Sequence, residues 1–145
     1  MPSFSSKSRD ILSWAHPDLR KVLEEAIKVV DFSVLESVRT EEQHNKNVKE
    51  GKSKTTWEKS KHRPRIDNEG RLTSLAVDIA PYPIDFNNKQ RFNLVAGVIL
   101  GIAHVLRERG TITHQIRWGG DFNQNWDPTD DNFYDGPHFE LMQVK

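Results

Sequence analysis

Three residues that lie far apart in the sequence carry side chains suited to a shared metal site. His62 lies in "SKHRPR", Asp78 in "LAVDIAPY" and His138 in "DGPHFEL". The chain has no cysteine, so any metal must be held by His, Asp or Glu. Two imidazoles and one carboxylate, with a position left for water, are a common catalytic zinc set. Zinc held in this way would polarise a carbonyl and make a hydroxide from its bound water.

A fourth residue, Asp135, could move a proton at such a site. It lies three positions before His138, and Gly136 and Pro137 stand between them. A carboxylate near an activated water can take its proton and later pass it to a leaving amine. We expect the Gly-Pro turn to hold Asp135 and His138 on the same side of the backbone.

Taken singly, each of these residues has a simpler explanation. A histidine in a basic loop is usually solvated, and an aspartate in a buried strand is usually a hydrogen-bonded structural acid. Asp78 is the most informative, because an acid inside an apolar strand must be hydrogen-bonded, charge-paired or metal-bound. Spacing alone therefore does not separate a zinc site from unrelated structural residues.

Apolar periodicity predicts the elements that must position these side chains. Helical spacing covers residues 16–30 and about 88–109, and Thr40 with Gln43 forms a capping-box pattern for a short polar helix ending near Gly51. Strands are predicted within residues 32–40, 75–83, 114–122 and 138–144. Residues 51–72 have no apolar period, which predicts a long loop.

These elements predict one α+β domain over residues 1–145, with helices packed on a small, mainly antiparallel sheet and zinc at the edge of that sheet. A chain of 145 residues with 35% hydrophobic content suits one domain with a core. The formal net charge of zero gives no indication of nucleic acid or of an anionic membrane as a partner. We see neither a signal peptide nor a stretch long enough to span a membrane.

The segments in this order resemble the zinc peptidases that include D-Ala-D-Ala carboxypeptidases and lysostaphin-related enzymes. They resemble most of all the small phage endolysins that are L-alanyl-D-glutamate endopeptidases. That family has Ser-x-His, Ala-x-Asp and late acid-x-x-His motifs, which stand here at residues 60–62, 76–78 and 135–138. The stretches "VRTEEQ" and "GGDFN" are also similar to the phage members.

The resemblance implies a role for each matching residue. His62, Asp78 and His138 would be the zinc ligands and Asp135 the general base and acid. Arg39 would match the family arginine that binds substrate and stabilises the developing oxyanion. The implied reaction is hydrolysis of the L-Ala–D-Glu bond of the peptidoglycan stem in bacterial lysis by a phage. The enzyme, expected to be a monomer, would be made in the host cytoplasm and reach the wall after another protein opens the membrane.

The spacing of the first two motifs departs from the family pattern. Sixteen positions separate His62 from Asp78, where relatives commonly have the short Ser-x-His-x-x-Gly-x-Ala-x-Asp, and Ser74 stands at the glycine's position. An inserted hairpin or loop would preserve both ligands, since the ends of a loop can meet whatever its length. The other imidazoles that could act as ligands match no family motif: His44, His104 and His114.

Four alternatives stay open at the level of sequence. The chain could be a D-Ala-D-Ala carboxypeptidase of the same family, or a cell-wall-binding module without activity, although a mere binder needs neither Asp135 nor Arg39. The basic stretch around Trp57 could bind nucleic acid, for which a solvated loop with Trp57 packed on the body is the simpler explanation. A calcium ion, or simply a polar turn, could explain the acidic loop with Asp121, Asp127, Asp130 and Asp131.

Overall fold

The computed structural model describes residues 2–143. In chain order, its elements are α1 (Ser6–Leu12), α2 (Pro17–Ala26), β1 (Phe32–Glu36), α3 (Glu41–Lys49), a 3₁₀ turn (Trp57–Lys59), β2 (Arg65–Ile66), β3 (Leu72–Thr73), β4 (Ala76–Pro81), α4 (Lys89–Glu108), β5 (Ile116–Trp118) and β6 (His138–Leu141).

A four-stranded antiparallel sheet with the strand order β1-β4-β6-β5 organises the molecule. The helices α2 and α4 pack against each other, α4 also contacts β4 and β5, and α1 contacts β1. The core between these layers consists of buried apolar side chains, among them Leu19, Leu23, Val77, Ile79, Ile99 and Phe139. This arrangement confirms the predicted α+β class.

Local chemistry explains where the helices begin. The ring of His16 accepts a hydrogen bond from the Asp18 amide, and Pro17 occupies the first turn of α2, where a missing N–H costs nothing. Asn88 caps α4 by accepting from the Arg91 amide. Thr40 likewise accepts from the Gln43 amide at the start of α3, as the capping pattern predicts.

The helical predictions hold except at one end. The helix α4 covers nearly all of the predicted residues 88–109, and α3 ends just before Gly51. The first predicted helix is too long, because α2 ends at Ala26 and residues 27–29 form turns. The chain must turn at this point to enter β1 at Phe32. The helix α1 was not predicted.

The strands are shorter than the apolar patterns predicted, and one loop contains more structure. The first strand ends at Glu36 rather than at residue 40, and the last strand ends at Leu141. Val144, at the end of the predicted last strand, lies outside the described residues. The segment 51–72 is not a plain loop, since it contains the 3₁₀ turn, and the short hairpin β2–β3 begins within it. Among residues 2–143, no helix combines the length and apolar character that crossing a membrane requires.

Candidate active site

Asp78 and His138 meet across the two inner strands of the sheet. They are directly paired in the register of β4 and β6, and Asp78 Oδ1 lies 3.3 Å from His138 Nδ1. Side chains that are paired across antiparallel strands lie on the same face and within reach of each other. The prediction of a site at the edge of the sheet is therefore wrong: these two residues lie on its central strands.

His62 reaches the same place because the inserted segment closes on itself. The Leu75 amide donates to the Lys61 carbonyl at 2.8 Å, so the chain leaves and returns at adjacent points. The Arg39 amide donates to the His62 carbonyl at 3.0 Å, which fixes His62 beside the end of β1. The hairpin β2–β3 occupies the excursion between them. The sixteen-position gap is thus an inserted hairpin that leaves His62 next to Asp78.

Both imidazoles lie at a distance from Asp78 that fits a shared zinc ion. His62 Nε2 and His138 Nδ1 each lie 3.3 Å from Asp78 Oδ1. Ligand atoms about 2.0 Å from a tetrahedral zinc ion are separated from each other by about 3.3 Å. His62 Nε2 is buried and has no hydrogen-bond partner among the described residues, although Asp78 is so close. An unpartnered nitrogen aimed at two other ligand atoms fits a metal ion between them.

The outer nitrogens of both imidazoles have partners that leave the inner nitrogens free for a metal. His62 Nδ1 lies 2.7 Å from the Ser37 carbonyl oxygen, which can only accept a hydrogen bond. His138 Nε2 lies 2.9 Å from Glu140 Oε1, and Glu140 Oε2 in turn accepts from Arg117 at 2.9 Å. A neutral ring that donates from its outer nitrogen presents a lone pair at the inner one, as in many metal sites.

His138 lies between two carboxylates, Asp78 and Glu140, and the three groups change one another's pKa. Burial alone would lower the pKa of His138, but hydrogen bonds to Asp78 and Glu140 raise it to about 10. Burial would raise the pKa of Asp78, yet His62 and His138 hold it well below its usual range, and the pKa of Glu140 falls to about 2 for similar reasons. Without a metal, His138 therefore carries a proton between two carboxylates. A metal ion would displace that proton from Nδ1.

The turn at residues 135–138 positions Asp135 beside the candidate ligands. The Asp135 amide donates to the Gly119 carbonyl at 2.8 Å, and the His138 amide donates to the Asp135 carbonyl at 3.1 Å. Gly119 is required here, because a Cβ at this position would lie 2.3 Å from the Asp135 carbonyl oxygen. Burial is the main cause that raises the pKa of Asp135 to about 6, with Asp78 adding to the rise and His138 opposing it.

Arg39 lies three residues after the end of β1, and its side chain is buried at the same site. Its Nε is paired with Glu36, and its Nη2 lies 3.6 Å from Asp78 Oδ2. Gln43 also lines the cleft of about 960 Å³ into which Arg39, Asp135 and the three candidate ligands open. The fold thus brings all five predicted site residues to one cleft.

A second group of His and Asp, formed by His16, Asp18 and His114, has different chemistry. His16 Nδ1 already accepts a hydrogen bond from the Asp18 amide. The neutral ring therefore carries its proton on Nε2 and has no lone pair left for a metal. Asp18 Oδ2 accepts hydrogen bonds from both amides of Thr113 and His114 and lies 2.7 Å from His114 Nδ1. We interpret this group as a structural contact between α2 and the segment before β5.

The structure separates the remaining predicted candidates. His104 is exposed on α4, and His44 is buried beside Arg39. Trp57 packs against the His44 ring, as the solvated-loop explanation expects, while Trp118 is in the core and Trp126 is 73% exposed.

The carboxylates of the acidic loop accept hydrogen bonds from nearby amides, as in a polar turn: Asp121 from Trp126, Asp127 from Thr129, Asp130 from Asn123 and Asp131 from Phe122.

Glu140 is a site residue that the sequence analysis missed. It is 6% exposed and bonds to both His138 and Arg117. Alternation along a strand could have indicated it, because residues two apart lie on the same face. The Ser37 carbonyl carries no such signal, since any residue type could supply it.

Comparison with known proteins identifies the family of the chain. The model of the phage L-alanyl-D-glutamate peptidase family matches residues 2–142. The chain belongs to that family. This L-alanyl-D-glutamate peptidase is thus an endopeptidase of the phage type that cleaves peptidoglycan. No match was found among curated proteins.

A solved structure supports the same assignment of the peptidase. The L-Ala D-Glu endopeptidase ChiX of Serratia marcescens is 27% identical in sequence and superposes with a TM-score of 0.66. The match covers 97% of this chain and 90% of that one. The shared fold therefore extends over nearly the whole of both chains.

Proposed function

We propose that this peptidase holds one zinc ion on His62, Asp78 and His138. The observation that carries the proposal is the pair of 3.3 Å separations from Asp78 Oδ1 to the two inner imidazole nitrogens. The outer hydrogen bonds to Ser37 and Glu140 support it, because they hold both rings in the tautomer that a metal needs. Bound there, zinc would supply Lewis acidity to the scissile carbonyl and lower the pKa of a water molecule.

Asp135 is the proton carrier in this proposal. The water that attacks the L-Ala carbonyl carbon gives a proton to the Asp135 carboxylate. When the C–N bond breaks, Asp135 returns that proton to the departing amine of D-Glu. Burial raises the pKa of Asp135 to about 6, and bound zinc would lower it again, so the group is ionised at neutral pH and able to take a proton.

Arg39 stabilises the negative charge that grows on the carbonyl oxygen. Its guanidinium is buried and paired with Glu36, so its position is set before substrate arrives. A fixed cation stabilises the transition state more than the neutral amide of the substrate. Arg39 and Asp135 also argue against a mere wall-binding module, since holding zinc requires neither.

Membership of the family supports a proposal for the substrate and the site of action. We propose that the enzyme acts as a monomer on the stem peptide of bacterial peptidoglycan, at the bond between L-Ala and D-Glu. It would be made in the host cytoplasm and reach the wall after a different phage protein opens the membrane. The carboxypeptidase alternative is not favoured, because the family and the solved relative are both named for L-Ala–D-Glu cleavage.

Metal analysis combined with digestion tests the proposal. Purified enzyme is expected to contain one zinc per chain and to release stem peptides that begin at D-Glu, identified by mass spectrometry. Removing zinc with a chelator should abolish release, and adding zinc back should restore it. His62→Ala and His138→Ala should each lose both zinc and activity.

His104→Ala is the matched control, since it removes an exposed imidazole on α4. It should keep full zinc content and full activity. Fragments released at an undiminished rate by metal-free enzyme would contradict the zinc proposal. Zinc retained by both ligand variants would contradict the assignment of the ligands.

A further inference from the structure

His44 is a buried histidine that contacts Arg39 rather than the candidate metal ligands. It lies on α3, is 1% exposed, and its Nδ1 lies 3.1 Å from Arg39 Nη1. Its Nε2 lies 2.6 Å from the Thr55 carbonyl oxygen. Arginine can only donate and a carbonyl can only accept, so the ring must accept at Nδ1 and donate at Nε2. Both polar atoms of this buried side chain are therefore used.

The guanidinium of Arg39 is held by three elements of the fold. Glu36 at the end of β1 pairs with Nε, His44 on α3 accepts from Nη1, and Asp78 on β4 lies 3.6 Å from Nη2. A planar guanidinium with partners at several nitrogens has its plane fixed as well as its position. Of these three partners, only His44 can accept from Arg39 without adding a negative charge to the site.

His44 also joins Arg39 to one wall of the cleft. Residues 52–55 form one wall of the cleft. The carbonyl of Thr55, the last of these residues, accepts a hydrogen bond from His44. The His44 ring packs against Trp57, with ring centroids 5.8 Å apart, in the 3₁₀ turn that follows. One side chain thus connects the wall segment, α3 and the cation of the site.

We propose that His44 is a positioning residue that orients Arg39 toward the carbonyl oxygen and ties it to the cleft wall at residues 52–55. This inference rests on the proposed role of Arg39. His44 acts on the transition state through Arg39 and has no contact with the candidate zinc ligands in the hydrogen bonds described. Its removal should therefore lower kcat more than it raises KM, and should leave zinc affinity unchanged.

Variants of His44 separate its two hydrogen bonds. His44→Leu removes both, and we expect kcat to fall about 10- to 100-fold, since small misplacements of a group at the site have effects of this size. His44→Asn places an amide oxygen near the position of Nδ1 and should restore part of the lost kcat. His104→Leu, on the exposed face of α4, is the matched control and should change nothing. Thermal unfolding and zinc content are measured for every variant.

A double-mutant cycle decides whether His44 acts through Arg39. The four proteins are the wild type, His44→Leu, Arg39→Ala and the double variant, all assayed for kcat on the same stem peptide. If His44 only positions Arg39, replacing it in the Arg39→Ala background should cost no further activity. A phosphinate analogue of the scissile bond should lose affinity for His44→Leu by the same factor as kcat, because its anionic oxygens mimic the transition state.

Two results would overturn the inference, and they differ from failure of the proposed function. Full multiplicative losses in the double variant would show that His44 acts independently of Arg39. A His44→Leu enzyme that is folded and has unchanged kcat would show that no positioning is needed. If Arg39→Ala itself is fully active, the proposed role of Arg39 fails first, and the role of His44 fails with it.

Discussion

His138 Nε2 lies 2.9 Å from Glu140 Oε1, two residues further along β6. The other carboxylate oxygen of Glu140 is bonded to Arg117 on the neighbouring strand β5. Removing the hydrogen-bond partner of a metal-binding histidine typically lowers metal affinity 10- to 100-fold. We therefore expect Glu140→Ala to weaken zinc binding by about this factor, measured by competition with a chelator of known affinity.

Glu140→Gln is the informative partner variant, because its amide oxygen can still accept from His138. It should bind zinc more tightly than Glu140→Ala does. The exposed Glu69→Ala serves as the control for loss of a carboxylate elsewhere. Unchanged zinc affinity in Glu140→Ala would mean that Glu140 does not orient His138.

Asp135→Asn should separate chemistry from metal binding. The amide cannot take a proton from water, so kcat should fall by about 10²- to 10⁴-fold, the usual contribution of a general base. Zinc content should stay at one per chain, since Asp135 is not among the proposed ligands. Asp135→Glu keeps a carboxylate and should retain more activity than Asp135→Asn. An Asp135→Asn enzyme with near-normal kcat would exclude Asp135 as the proton carrier.

The activity should decline in acid because of Asp135. Its pKa is raised to about 6, chiefly by burial, and the base is lost as the pH falls through that value. Bound zinc would favour the carboxylate and lower this pKa, so the acid limb of kcat/KM should lie at or below pH 6. Zinc content must be measured at each pH, because protons compete with the metal for His138. A fully zinc-loaded enzyme whose kcat/KM already declines as the pH is lowered through 7 would contradict the assignment.

Gly119→Ala should damage the site although it removes no functional group. The added Cβ would lie 2.3 Å from the Asp135 carbonyl oxygen, so the turn that carries Asp135 and His138 must move. We expect a loss of activity of about 100-fold or more, since a displacement near 1 Å can have that effect. Gly97→Ala is the matched control, because no atom lies within 4 Å of its added Cβ on α4. That variant should gain up to about 1 kcal/mol of stability and keep its activity.

Asp18 should matter for stability and not for metal. Its side chain is 9% exposed and accepts hydrogen bonds from the amides of Thr113 and His114. Asp18→Asn should therefore lower the free energy of unfolding by about 1–3 kcal/mol. Burial would raise the pKa of Asp18, but its hydrogen bonds, above all the one with His114, hold it below the usual aspartate value of 3.8. Its stabilisation is therefore present above pH 3.8 and is lost as the pH falls through the folded-state pKa.

Chemical denaturation at pH 7 and zinc analysis check the role of Asp18 together. Asp10→Asn, an exposed change on α1, should leave the stability as it is. Two zinc ions per chain in the wild type, with one of them lost in Asp18→Asn, would show that the group with His16 and His114 is a second metal site.

The sequence by itself determined the α+β class, the main helix α4 and the identity of five residues that meet in the cleft. Helical periodicity and capping depend on residues near each other in the chain, so the bounds of α3 and α4 could be predicted accurately. The five site residues could be named because their motifs stand in family order, even though an insertion separates His62 from Asp78.

Only the tertiary structure decided how those residues are arranged. The pairing of Asp78 with His138 depends on the register of β4 against β6, and the return of Leu75 to Lys61 depends on how the hairpin folds. Glu140 is also held by Arg117 on the neighbouring strand β5, and His44 is held between Arg39 and the backbone carbonyl of Thr55. Composition and spacing do not encode such contacts, because they are set by the packing of distant segments.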